Sequence, residues 1–185
     1  RARALSEEEL GAAWAATSVL SEPWRQAFRM FVVTALRRNE LLEARWGEVS
    51  SCGRWLDIPA VRMKMDRPIR VAFCDLAQTE LASLHATRAA DLPIFTCDPA
   101  GIRPARGIYK PRDLWCAEID RLIEIEGTTF RIHDLRHTAK THLTKLGIPD
   151  DVSDDASLIH RAEMKMYLDK RSRHRRNNRI LNKTL

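Results

Sequence analysis

Apolar positions recur at helical spacing through most of the chain and change to alternating, β-prone runs in one short section. Behind Ser6 and Glu9, which have the spacing of a capping box, Leu10, Ala13, Trp14 and Thr17 fall three and four residues apart; the spacing predicts a helix from about Ser6 to Leu20. Ser21-Glu-Pro23 restarts the chain. Pro23 suits a first helical turn, and Trp24, Phe28, Phe31 and Val32 extend a second helix to about Ala35. Leu41, Leu42 and Trp46 resume the apolar pattern after a break. Trp55-Leu-Asp-Ile58 and Ile69-Arg-Val71 read as short strands of an antiparallel hairpin or three-stranded sheet, joined by the basic connection Met63-Lys64-Met65-Asp66-Arg67. Helix returns at about Asp75 to His85 and at Pro111 to Glu126, with Gly127 ending the second and a Pro- and Gly-rich surface stretch, Pro99 to Pro111, between the two.

The strongest helical signal follows. Ile132, Leu135, Ala139, Leu143 and Leu146 share one apolar stripe, stopped by Gly147 and Pro149, and a neighbouring face carries His133, Arg136, His137 and Lys140. Residues three and four apart on a helix are neighbours, so these cationic or ionisable groups are expected to converge. Two short helices, at about Asp150 to Ile159 and Arg161 to Arg171, complete the pattern. The fold class expected is mainly α with a small antiparallel β-sheet, an α+β arrangement.

At 185 residues the chain suits one core, since domains run about 100 to 200 residues. Hydrophobic residues make up 44% of it, yet no run approaches the roughly 18 apolar residues of a helical membrane span, which points to a soluble domain rather than a membrane partner. Cys52, Cys74, Cys97 and Cys116 form no CxxC pair, which fits neither a zinc clip nor a dense disulfide scaffold and suits a reducing cytoplasm. The net charge of +6 is uneven: residues 161 to 185 hold nine Lys or Arg against two Asp or Glu, while the other 160 residues hold 22 against 23. A terminal segment with Lys170, Arg171, Arg173, Arg175 and Arg176 close together is drawn to a polyanion through counterion release, or is simply a solvated tail.

Attack on a phosphodiester builds negative charge on the non-bridging oxygens, and fixed cationic donors lower that barrier. Arginine suits the task because its planar fork is permanently charged and grips two phosphate oxygens together. Arg37, in Thr34-Ala-Leu-Arg37-Arg-Asn-Glu40-Leu, follows a helix break that exposes the guanidinium while Glu40 orients it; Arg136 lies one turn beyond His133.

His133-Asp-Leu-Arg136-His closely resembles the His-x-x-Arg box of the tyrosine recombinases, the phage-integrase family. Thr34 to Leu41 resembles the family's first arginine box, and Ile58-Pro-Ala-Val-Arg-Met-Lys64-Met-Asp-Arg-Pro its β-hairpin lysine segment. Val152-Ser-Asp-Asp-Ala-Ser-Leu-Ile-His160 is similar to the region of the second active-site histidine, and Tyr167 follows in the place of the nucleophile. The resemblance runs from Leu5 to about Lys170 and implies the tyrosine-recombinase catalytic-domain architecture. It implies Arg37, Arg136 and His160 as a charge clamp, His133 assisting proton transfer at the tyrosine, Lys64 protonating the leaving 5′-oxygen and Tyr167 forming a 3′-phosphotyrosyl intermediate, with no metal or other cofactor. A phenol with a pKa near 10 needs both a base and a positive field to react at neutral pH. The sequence departs from the family pattern in three places: Tyr167 lies only seven residues after His160, a shorter interval than usual; Ala35 stands where Gly is usual; and Val71-Ala-Phe-Cys replaces the common Val-Pro-Leu.

Taken singly, each residue also has an ordinary reading. Arg37 suits a surface ion pair, Lys64 a solvated turn, His160 a helix cap, and Tyr167 packing among Met164, Met166 and Leu168. His133-Asp-Leu-Arg-His137 also reads as His-Asp-x-x-His, near a zinc-hydrolase pattern, although Arg136 would set a fixed charge beside the dication. A non-catalytic DNA-binding relative is the other alternative, supported by the short His160 to Tyr167 interval. The expected organisation is a catalytic domain over residues 1–171 and a basic tail over 172–185, following an upstream DNA-binding domain. The expected partners are duplex DNA and sister subunits in a tetramer, with Lys140 on DNA and the basic tail either on DNA or, through Ile180-Leu181, on a neighbouring subunit. No small-molecule substrate is expected, and the setting is the cytoplasm of a bacterium or phage host.

Overall fold

A computed structural model describes residues 3–63, 66–84, 89–124 and 131–145. Lys64, His160, Tyr167, Gly127, the helix stop at Gly147 and Pro149, and the expected helices beyond residue 150 lie outside the described residues. So does the basic tail with Lys170, Arg171, Arg173, Arg175 and Arg176.

Six helices and one hairpin make up the described fold. Helix α1 spans Glu7–Ala15 and opens with the capping box expected of Ser6 and Glu9: the Ser6 hydroxyl accepts from the Glu9 amide (3.1 Å), and the Glu9 carboxylate accepts from the Ser6 amide (2.7 Å). The helix tightens into a 3₁₀ turn over Ala16–Val19, whose Ala16 and Thr17 are buried. Helix α2, Trp24–Thr34, is the centre of the fold. Its Ala27, Phe28, Met30 and Phe31 have no exposed surface, and α1, the 3₁₀ turn, helix α4 (Asp75–Ser83) and helix α6 (Ile132–Lys145) all pack on it. A helix wrapped on so many sides buries more than one stripe, which is why Gln26 is inside as well; its amide donates to Glu22 (2.9 Å).

Helix α5, Tyr109–Ile123, is held to α1 and the 3₁₀ turn mainly by Trp115. The indole is fully buried, meets the Phe28 ring edge-on at 4.9 Å and donates to the Ala13 carbonyl at 2.8 Å. The helix differs at both ends from the sequence expectation. It begins two residues before Pro111, because a proline in the first turn lacks only a hydrogen that has no helical partner. It ends at Ile123, before Gly127, because Glu124 takes the left-handed cap conformation (φ 53°) and returns its amide to the Asp120 carbonyl. The Pro- and Gly-rich stretch is also not wholly at the surface, for Ala105 and Ile108 are buried.

Strands β1 (Trp55–Ile58) and β2 (Ile69–Ala72) pair antiparallel with Leu56 opposite Val71 and Asp57 opposite Arg70. Alternation sets the faces: Leu56, Ile58 and Val71 enter the core, while Asp57 and Arg70 form an exposed pair at 2.6 Å. Among the described residues the sheet has two strands. One buried hydrogen bond joins the segment before α1 to α6. The amide of buried Leu5 donates to Thr138 Oγ1 on α6 at 2.8 Å, and that hydroxyl donates to the Asp134 carbonyl.

Trp115 combines buried area, an aromatic contact and a satisfied indole N–H. Trp115→Ala is expected to destabilise the fold by about 3–5 kcal/mol, measured by denaturant unfolding, through lost burial and the cavity left against Phe28.

Candidate active site

The site begins with the end of α2. Ala35 adopts the left-handed conformation (φ 52°, ψ 23°), its amide returning to the Phe31 carbonyl, and the chain turns sharply into α3, Arg38–Leu42. Arg37 sits at the entrance to α3. The buried Glu40 carboxylate accepts from the Arg37 amide at 2.9 Å and from Arg37 Nη1 at 2.7 Å, so a single side chain caps the helix and aims the guanidinium. Arg37 itself stays 40% exposed, which leaves its other donors accessible to an anion.

Arg136 arrives from α6. It is only 5% exposed, and its Nη1 donates to the Ala35 carbonyl at 3.3 Å. The helix is started by Asp134, whose Oδ2 accepts from the Arg131 amide at 3.1 Å. Leu135 and Ala139 bury the apolar stripe, Ile132 packs against the core's margin, and His133 and His137 are exposed. Asp134 is therefore buried as a helix cap. Among the described residues no three His, Cys, Asp or Glu side chains gather into a possible metal group.

Arg37, His133 and Arg136 line one cleft of about 470 Å³. His137 and Lys140, expected on the same spot, do not line it; His137 faces solvent and Lys140 is half-buried one turn further on. Three more arginines do: Arg38, Arg112 and Arg131. None of the described residues lining the cleft is acidic. A hydrogen bond from Arg112 to the neighbouring Asp113 carboxylate raises its pKa further above the ordinary arginine value. Five guanidinium groups on the wall of a small cleft make an anion site, and their forks suit the oxygens of a phosphate. Arg38 and Arg131 adjoin motif residues and were legible as neighbours, whereas nothing in the local pattern around Arg112 marked it.

Lys64 lies outside the described residues, but the start of its connection is fastened close by. Arg62 donates to the Glu40 carbonyl at 2.8 Å and is ion-paired with Glu48.

A mainly helical domain with one small antiparallel sheet is the fold of a recombinase catalytic domain. The crystal structure of XerA recombinase matches it with a TM-score of 0.55, covering 91% of this chain and 63% of that one at 14% identity. In sequence, the chain is 31% identical over 144 residues to the prophage integrase IntA of Escherichia coli (strain K12), a match covering 78% of this chain and 33% of that protein. The chain is related to the tyrosine recombinases, the phage-integrase family, and spans about a third of IntA's length. No family model matches it.

The left-handed Ala35 sets a quantitative expectation. Glycine there relieves about 1–2 kcal/mol of backbone strain but gives up a buried methyl and frees the unfolded chain, each worth up to about 1 kcal/mol. Ala35→Gly should therefore leave stability within about 1 kcal/mol of the parent, whereas a β-branched Ala35→Val should cost about 2 kcal/mol or more in thermal or denaturant unfolding.

Proposed function

We propose that this chain is the catalytic domain of a site-specific DNA recombinase that cuts and rejoins duplex DNA through a 3′-phosphotyrosyl intermediate. The observation that carries the reading is the cleft in which Arg37, His133 and Arg136 meet, with no acidic side chain among its described lining residues, Arg37 held by Glu40 and Arg136 held by the Ala35 carbonyl. The scissile phosphate binds there. Arg37 and Arg136, with His160, stabilise the charge that grows on its non-bridging oxygens. The Tyr167 oxygen attacks phosphorus as His133 assists loss of the phenolic proton; the bond to the 5′-oxygen breaks, and Lys64 supplies the proton to that oxygen. The phosphodiester is exchanged for a phosphotyrosyl ester, so the energy of the bond is kept and a 5′-hydroxyl can reverse the step without ATP. Residues 1–171 act as the catalytic unit. Lys140 contacts DNA, and the tail residues Lys170, Arg171, Arg173, Arg175 and Arg176 contact DNA or a sister subunit of a tetramer, in the cytoplasm.

Nicked suicide DNA of the cognate site traps the intermediate. Tyr167→Phe is expected to abolish the protein–DNA adduct while leaving duplex affinity almost unchanged; an adduct that persists moves the nucleophile elsewhere. Absence of the adduct with the parent as well as the variant, with duplex binding intact, favours the non-catalytic DNA-binding reading. Arg37→Ala or Arg136→Ala should lower the cleavage rate by on the order of 10² to 10³, with a much smaller loss of binding. Equal losses in both would make these arginines simple phosphate anchors.

The reading assigns charge stabilisation to arginine. Cleavage should therefore continue at the parent rate in EDTA, and a loss on chelation that zinc restores would return His133 and His137 to consideration as ligands.

A further inference from the structure

Tyr109 stands at the divide between two basic hollows. One is the cleft of Arg37, His133 and Arg136; the other, of about 810 Å³, is lined by Arg38, Arg45, Arg62 and Arg106 among others, and Tyr109 belongs to the walls of both. The residue is 61% exposed, an unusual place for a ring whose apolar faces gain from burial. Its mounting is firm. Tyr109 is the first residue of α5, Ile108 beside it is buried, and Trp115 and Ile119 further along the helix have no exposed surface. The Arg112 guanidinium lies 5.3 Å from the ring centre and is itself paired with Asp113 at 2.6 Å.

A ring carried at the start of a well-packed helix, open to solvent, with Arg112 against it and arginines lining the hollows on both sides, has the composition of a stacking platform in a nucleic-acid groove. Bases paired inside a duplex present no free face to such a ring. A base that has left its partner does. We propose that Tyr109, steadied by Arg112, stacks on an unpaired base next to the phosphate held in the cleft, and so favours DNA whose strands have begun to part there. The proposal rests on the reading of that cleft as a DNA phosphate site. It assigns Tyr109 as a positioning residue that acts through its ring, not through its hydroxyl. Joining a cut end to a different strand requires bases beside the cut to leave one partner and find another, and a platform of this kind stabilises the interval between the two.

The test compares a fully paired duplex with the same duplex carrying one unpaired 2-aminopurine, read by affinity and by fluorescence, which stacking alters. Tyr109→Ala should weaken binding to the unpaired-base DNA by about tenfold, the scale of one lost base–aromatic stack, and should abolish the fluorescence change. Binding to the paired duplex, held through its phosphates, should change by less than about twofold. Tyr109→Phe should behave as the parent in both measurements. Three results would overturn the proposal: equal losses by Tyr109→Ala on the two DNAs, no loss on either, or a Phe variant as impaired as the Ala variant. The two readings fail separately. Parent protein that prefers the unpaired base through Tyr109 yet forms no adduct on suicide DNA refutes the recombinase reading alone, and parent protein that forms the adduct without that preference refutes the platform alone.

Discussion

The backbone turn at Ala35 is the constraint on which the site depends. A left-handed residue ends α2, points its carbonyl at Arg136 and delivers Arg37 to the start of α3 within two residues. Two arginines separated by almost a hundred positions in sequence are brought together because one donates its hydrogen bond to the turn that places the other. Glu40 completes the arrangement from behind. Its carboxylate is buried, so holding the Arg37 fork also satisfies a charge that would otherwise be costly inside the protein. Geometry and stability at this corner are the same set of contacts.

The core explains why that corner is rigid. Phe28 and Phe31 of α2 are fully buried, α4 and α6 lie against the same helix, and α5 is pinned by the Trp115 indole to α1. Each element that contributes a cleft residue therefore packs on α2 or on a helix that does. The hairpin buries Leu56, Ile58 and Val71 in the same core, and its connection is tied to the site by Arg62, which reaches the α3 backbone at Glu40 and the Glu48 carboxylate. Arg62, two residues ahead of Lys64, thus serves as a fastener between two pieces of the site.

Most of the helical layout was legible because its signals are local. Ser6 and Glu9 form the predicted capping box, Trp24, Phe28 and Phe31 of the α2 stripe and Leu135 and Ala139 of the α6 stripe are buried as predicted, and the hairpin strands alternate as their sequence does. What escaped depends on tertiary placement. The early stop of α5 at Glu124 uses a non-glycine left-handed cap, for which sequence carries little signal, and the entry of Arg112 and Tyr109 into the cleft follows from how α5 is docked. His137 illustrates the opposite case: it shares helical spacing with His133, but the cleft is narrower than the face, so spacing alone placed one histidine too many in it. The resemblance to the phage integrases supplied the order of the boxes, and helix periodicity could not have ranked Arg37 above the other exposed arginines.

The bond from the Leu5 amide to Thr138 Oγ1 spans 133 positions of chain and is buried. An amide so placed can exchange its hydrogen with solvent only when the segment before α1 and helix α6 separate, whereas ordinary helical amides exchange when their own turn frays. The Leu5 proton is thus a natural spectroscopic tag for one event, the undocking of the helix that holds Arg136, and its exchange rate reports how often that helix leaves the body of the protein.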